Sequence, residues 1–190
     1  ELINKGYDVT SLIRKGKEGN LKSKIVYGDL TDEKIDFKNN QFDCVFHLAA
    51  KNSLIDCENN PSETLDINVN GTKKIFDIAQ KKNVTKVIYA ESSTVYEGSK
   101  NFPTNESETA PQSVYAKSKM ACNVIANEFI QSHGLKSTGL RYFTTDILID
   151  DSNNHHKRQI NYRNEEVIQW NDSIKDKPIL LKYLKENIHA

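Results

Sequence analysis

Apolar and polar residues change their spacing repeatedly along this chain, and each change marks an element. Residues 7–13 (YDVTSLI) alternate apolar and polar positions and are rich in β-forming types, which predicts a strand. Residues 24–27 (KIVY) predict a short strand closed by Gly28 and Asp29. Residues 42–50 (FDCVFHLAA) form a nearly continuous apolar run, the pattern of a strand covered on both faces. Over residues 61–82 the period becomes helical, with Leu65, Val69, Ile75, Ile78 and Ala79 on one broad stripe. Residues 84–90 (VTKVIYA) return to a strand, residues 111–133 to a long helix stopped by Gly134, and residues 137–143 to a further strand. Residues 1–5 read as the last turn of a helix, with Gly6 as the natural residue after its end.

Alternating strands and helices predict right-handed crossovers and a parallel sheet with helices on both faces. Ligands of such sheets sit at the carboxyl ends of the strands, so functional residues should follow the strands. From Asp150 the pattern is lost. The run DDSNNHHKRQ has no apolar residue and reads as a linker or solvated loop, its His155–His156 pair included. Beyond it Pro178 opens a short helical pattern with Ile179, Leu180, Tyr183, Leu184 and Ile188 on one side. The expected division is residues 1–149 as the α/β domain and 150–190 as a linker with a short divergent segment, too small for a core of its own.

The 190 residues fit one domain with an appendage, and 26 Lys plus Arg against 26 Asp plus Glu leave no net charge. A bulk-charge argument for a nucleic-acid or anionic-membrane partner is therefore absent. No apolar run approaches the ~18 residues of a membrane helix. Hydrophobic residues at 37% are few, but dense Val/Ile/Leu clusters argue for a folded chain. Cys44, Cys57 and Cys122 are an odd number at no metal-ligand spacing, which reads as free thiols in a reducing, cytoplasmic compartment with no metal.

The chemistry begins at Tyr115-Ala-Lys-Ser-Lys119 on the helix expected over 111–133. Tyr and Lys at i and i+4 face the same side of a helix. A free tyrosine has a pKa near ~10, too high for a base at neutral pH. An ammonium alongside favours the phenolate and should lower it. Taken alone, the pair reads as one face of a solvated amphipathic helix. A second feature accompanies it: the strand VIYAE runs into Ser92-Ser93-Thr94-Val95-Tyr96, which puts hydroxyls at a strand's carboxyl end.

With Gly28-Asp29-Leu30, the HLAA at His47–Ala50, the NVNGT at Asn68–Thr72 and the LRYF at Leu140–Phe143, these stretches stand in one order and spacing. Over residues 1–145 the chain resembles the extended short-chain dehydrogenases/reductases, the NAD(P)-dependent sugar-nucleotide epimerases and dehydratases. The resemblance implies a Rossmann-like doubly wound parallel sheet. It implies that Tyr115 is the catalytic acid/base, that Lys119 lowers its pKa and binds the nicotinamide ribose, and that Ser92 binds the reacting sugar oxygen. Asp29 would hydrogen-bond the adenine amino group, with Leu30 packed on the ring. Leu48, Ala49 and Ala50 would form a small-residue wall beside the cofactor, with Asn52 as a polar contact. Tyr142 and Phe143 would lie beside the nicotinamide. Asn68 matches an Asn common in that helix, and a hydrogen bond that fixes neighbouring backbone is an equal reading. His47, in a buried strand pattern, reads as structural. Arg14 stands where many NAD users carry an acid. A cation there suits a 2′-phosphate, though members with Arg also use NAD, so the expected cofactor is NAD or NADP.

Two departures qualify the resemblance. The glycine-rich turn that receives the pyrophosphate is not in this sequence, so the sheet is expected to lack its first strand, and the isolated chain is expected to bind dinucleotide weakly. The chain starts at Glu1 without Met, which reads as a fragment or a truncated gene. After Phe143 the stretch TTDILI replaces the family's usual lead into a substrate lobe. The expected function is epimerisation of a nucleotide sugar through transient oxidation at C4. Ser93-Thr94 stand where dehydratases carry an Asp-Glu pair, which disfavours dehydration. An NADPH-dependent ketone reductase and a truncated non-catalytic homologue are the alternatives. A homodimer is expected through the helices over 61–82 and 111–133, because Met120, Cys122, Val124 and Ile125 spread apolar surface over more than one face.

Overall fold

The strands read from the apolar pattern form two parallel sets. β1 (Thr10–Ile13) pairs with β2 (Lys24–Tyr27), with Thr10 opposite Lys24. β3 (Cys44–His47), β4 (Lys86–Ser92) and β5 (Lys136–Tyr142) form the second set, with β4 central. The computed structural model describes residues 2–143 apart from 18, 39 and 102, all within the unit Glu1–Thr144. The orders β2-β1 and β3-β4-β5 reproduce a doubly wound sheet in which the place of the first strand is filled by no strand among the described residues. Burial follows from this. Central β4 is largely buried, while β1 is half-buried throughout and β3 is buried only at His47. The expected coverage of β3 on both faces is thus only partial.

Both sides of that place still share a core. Leu12 of β1 and Val45 of β3 pack against the buried cluster of Leu30, Ile35 and Ile75. A larger cluster joins Phe76, Val87, Tyr89, Cys122, Ile125, Ala126 and Phe129. Each large apolar side chain buried there contributes about 1.5–3 kcal/mol.

The helix expected over 61–82 is divided. α1 (Leu54–Asn59), which the sequence pattern does not announce, is capped by Ser53. α2 (Pro61–Leu65) then runs into a π turn, Asp66–Asn70, before α3 (Gly71–Lys81). The wider turn shifts the phase of the apolar stripe. Leu65 is 46% exposed, whereas Ile75 and Ala79 face the core at 7% and 1%. Gly71 lets α3 approach Leu30, because a Cβ there would lie 2.9 Å from the Cβ of Leu30.

α4 (Val114–His133) lays Ala116, Lys119, Cys122, Ile125, Ala126 and Phe129 inward, one helical face. It starts later than the pattern implies because the N–H groups of Gln112 and Ser113 are bound by the Glu97 carboxylate, and Ser113 becomes the cap. Gly134, at φ 66°, ends it as expected. The three cysteines are free thiols. No helix among the described residues is long and apolar enough to cross a membrane. The polar run from Asp150, with His155–His156, the helix opened by Pro178 and the boundary at 149 lie outside the described residues.

Candidate active site

Ser92 closes β4, and the 3₁₀ turn Ser93–Tyr96 follows at once. Its hydroxyl oxygen accepts from the Thr94 backbone N–H at 3.2 Å and from the Thr94 hydroxyl at 3.0 Å. A serine oxygen has two lone pairs, so both are occupied and its own proton is left to be donated. The group it acts on is the Tyr115 phenol, which Ser92 stands near enough to pull down in pKa. The two residues singled out in separate elements of the sequence therefore converge.

Tyr115 is held by the way α4 begins. The Ser113 hydroxyl accepts from Ala116 N–H at 3.1 Å and donates to Glu97 at 2.9 Å. Glu58, from α1, accepts the Val114 N–H at 2.6 Å. Two carboxylates at the positive end of the helix dipole are favourable and fix the first turn. Lys119 lies one turn on. Its Nζ is 5.9 Å from the Tyr115 ring centroid and donates to the Ala90 carbonyl at 2.9 Å.

The electrostatics differ from the expectation that Lys119 lowers the tyrosine pKa. Burial, the largest effect, pushes the Tyr115 phenol above its ordinary value, and the group that pulls it down is Ser92. The Lys119 ammonium sits over the ring face and directs a proton at Ala90 O, not at the phenol. Burial also lowers the Lys119 pKa, while Cys122 and Glu91 act to raise it.

Asn68, in the π turn, is 1% exposed. Its carboxamide donates to the Lys51 carbonyl at 2.9 Å and accepts the Lys51 N–H at 2.7 Å. This is the backbone-fixing role read as one alternative from the sequence. The loop so fixed follows β3 and carries Leu48, Ala49, Ala50 and Asn52. Leu48 is 60% exposed, Ala49 and Asn52 are exposed, and Ala50 is half-buried. Across β4, Tyr142 and Phe143 at the end of β5 are 40% and 65% exposed. Apolar surface thus stands open on both sides of Ser92, at the carboxyl ends of β3 and β5.

The remaining expected contacts lie at the end of β2. Asp29 accepts from the Thr31 N–H and hydroxyl, both at 3.0 Å, and the Thr31 backbone bond chiefly holds its carboxyl below the usual range. Arg14, after β1, is 3.7 Å from Asp29. Leu30 departs from expectation. It is 6% exposed and belongs to the core against Gly71 and Ile75, so its side chain has no face for an adenine ring.

The sequence reading passed over a second polar group beneath the site. Glu91, 4% exposed, precedes Ser92 and accepts from Arg141 at 2.6 Å, from Asn123 at 2.8 Å and from Tyr89 at 3.1 Å. The available signal was a single charge in each of two apolar strand patterns, VIYAES and TGLRYF. His47 is structural, as read. It is 7% exposed and bonded to Thr72 at 2.9 Å.

A parallel sheet whose central strand ends at a serine, beside a helix that carries Tyr and Lys one turn apart, defines a class of short-chain dehydrogenase-like proteins. The family model described as the NAD dependent epimerase/dehydratase family matches residues 1–145, and the chain belongs to that family. It is similar to the solved UDP-N-acetylglucosamine 4-epimerase of Methanobrevibacter ruminantium, at 32% identity and TM-score 0.68, over 78% of this chain and 51% of that one. It is similar to the UDP-glucose 4-epimerase of Thermotoga maritima, at 29% identity and TM-score 0.67, over 74% and 49%. A UDP-glucuronate 4-epimerase of Arabidopsis thaliana is 34% identical over 126 residues, 63% of this chain and 29% of that protein. The chain thus spans about half of these solved structures and less of that relative.

Proposed function

We propose that the protein epimerises a nucleotide sugar at C4, with NAD or NADP as its cofactor. The observation that carries this reading is the placement of Lys119 over the Tyr115 ring, 5.9 Å from its centroid, with Ser92 near enough to the phenol to lower its pKa. The bound nicotinamide would supply hydride acceptance and return at the sugar carbon. The open apolar surface of Leu48, Tyr142 and Phe143 at the carboxyl edge fits a flat ring of that kind. Asp29 and Arg14 would stand at its adenosine end, and Ala49, Ala50 and Asn52 along its length.

Tyr115 takes the proton of the C4 hydroxyl and later gives it back. Ser92 donates to the same oxygen, which its two bonds from Thr94 leave it free to do. Presentation of the other face of the resulting ketone inverts the centre. Burial favours the neutral phenol, so Tyr115 is well suited to the protonating half of the cycle, and the charge of bound cofactor and Lys119 must assist the other half. Ser93 and Thr94 offer no carboxyl for the neighbouring carbon, which speaks for epimerisation over dehydration. The outward face of α4 and α2 supports a homodimer. Val124 is 59% exposed and Leu65 46%, while Cys122 and Ile125 point into the core, so α4 is apolar on two faces.

The test is C4 inversion of UDP-glucose, UDP-N-acetylglucosamine and UDP-glucuronate by the full-length protein, followed by NMR. Tyr115→Phe should lower the rate at least about a hundredfold. Undiminished turnover by Tyr115→Phe, or inversion of none of the three, would overturn the reading. Net consumption of NADPH with a ketone would instead establish the reductase.

A further inference from the structure

The Glu91–Arg141 pair, its carboxylate buried and its guanidinium half-buried, lies outside the chemistry described, yet it touches the strand of Ser92, the turn after it and the helix of Tyr115. Glu91 and Arg141 are opposite each other in the parallel register of β4 and β5. Arg141 Nε donates to Glu91 at 2.6 Å. Its Nη1 donates to the Tyr96 hydroxyl at 2.5 Å and to the Glu106 carbonyl at 2.6 Å. The guanidinium also lies over the Tyr96 ring, 5.1 Å from its centroid. Tyr96 ends the same 3₁₀ turn whose Thr94 fills the lone pairs of Ser92. The other Glu91 oxygen is held by Asn123 of α4, the helix of Tyr115 and Lys119.

We infer that Arg141 is a positioning residue for the epimerisation proposed above. Anchored to Glu91 on one side, it grips Tyr96 and the Glu106 carbonyl on the other, and so fixes the turn that aims the Ser92 hydroxyl at Tyr115. The geometry requires arginine. One planar guanidinium directs Nε at a carboxylate in the neighbouring strand and Nη1 at two oxygens beyond its end, and a lysine ammonium has no such fork. Beyond Tyr96 the segment is tied further by Ala110 N–H to Val95 O at 2.7 Å, by Gly98 N–H to Ala110 O at 3.0 Å and by the Glu97 carboxylate, which accepts from Gln112 and Ser113, so Arg141 is the tie that runs from this segment to β5. Glu91 also adds to the charge balance around Lys119, since it acts to keep that amine protonated.

The inference rests on the epimerase reading for its kinetic arm, and a second arm does not. In the full-length protein, Arg141→Gln, Arg141→Lys and Tyr96→Phe are compared with wild type by hydrogen–deuterium exchange and by steady-state C4 inversion. Arg141→Gln should speed exchange in peptides over 93–110 about tenfold or more, leaving α3 peptides unchanged. It should lower kcat about a hundredfold, with KM within about twofold, as expected for a misplaced hydroxyl that binds but does not align. Arg141→Lys should rescue neither. Tyr96→Phe keeps the Glu91–Arg141 ion pair and should show the same pattern at smaller size, which serves where Arg141→Gln does not fold. Wild-type exchange over 93–110 in a folded Arg141→Gln or in Tyr96→Phe would overturn the bracket whatever the reaction is. Slowed turnover expressed in KM alone would overturn the positioning role. Absence of inversion by wild type overturns the epimerase reading, and the exchange arm then decides the bracket by itself.

Discussion

The carboxamide of Asn68 lies 2.9 Å from the hydroxyl of Ser118, and so links the loop after β3 to the helix that carries Tyr115 and Lys119. Ser118 in turn donates to the Tyr115 carbonyl at 2.7 Å. One amide therefore joins the wall expected beside the cofactor to the backbone of the expected acid/base.

Asn68→Leu removes three hydrogen bonds at a position 1% exposed and leaves the Lys51 N–H without its acceptor. Losing such partners costs about 1–3 kcal/mol for each group left unsatisfied, so a total near 3 kcal/mol is expected. The urea midpoint should fall with little change in slope. Asn68→Asp should be no better, because it keeps the acceptor but loses both donors and sets a carboxylate against the Lys51 carbonyl.

Thr94→Val should slow the reaction without weakening substrate binding. Valine keeps the shape and the backbone N–H but loses the hydroxyl that donates to Ser92 at 3.0 Å. One hydrogen bond of about 0.5–1.5 kcal/mol corresponds to a roughly two- to tenfold lower kcat. Steady-state kinetics of the full-length variant provide the check, and an unchanged kcat would mean that the backbone bond alone aims Ser92.

What the sequence made legible follows a physical divide. β4 was readable because burial at the centre of its sheet demands a mostly apolar run, and the stop of α4 because Gly134 takes a positive φ at little cost. The break of the 61–82 helix was not, since the π turn coincides with the bonds of Asn68 to Lys51 and Ser118, distant partners that no local period records. Ser92, Tyr115 and Lys119 were found by motif, and the sheet brings Ser92 and Tyr115 together. The Glu91–Arg141 pair needed the register of β4 and β5 to be seen. Leu30 was misread because the motif it completes does not reveal that Gly71 admits its side chain to the core.

Gly139→Ala should destabilise the sheet from within. A Cβ at 139 would stand 2.7 Å from the Tyr89 Cζ and hydroxyl and 2.8 Å from a Glu91 oxygen. Tyr89 cannot easily give way, because it is 3% exposed and packs edge-on against Phe76 at 5.8 Å. Overpacking of this kind costs about 1–3 kcal/mol. If the tyrosine ring is the obstacle, Gly139→Ala combined with Tyr89→Leu should cost less than the sum of the two single changes in thermal denaturation.

Acid should destabilise the protein partly through His47. Its ring is buried, and burial first, with the Lys119 charge second, lowers its pKa from 6.5 to about 4. Thr72 donates its hydroxyl proton to the Asn68 carbonyl at 2.6 Å, so His47 Nε2 is the donor in the 2.9 Å bond to Thr72. The folded state therefore holds the neutral ring, while the unfolded chain takes up a proton as soon as pH falls below 6.5. Stability from this group is complete above that pH, declines through the interval, and levels off below about 4. The full loss is about 3 kcal/mol, and most of it should already be gone at pH ~4.5. His47→Gln keeps a donor toward Thr72 and does not titrate. Urea denaturation at pH ~7 and ~4.5 should thus show a drop smaller in His47→Gln than in wild type by about 2 kcal/mol, with the carboxylates common to both cancelling. Equal drops in the two proteins would mean that His47 is already protonated in the folded state, and that the Thr72 bond is made by a charged ring.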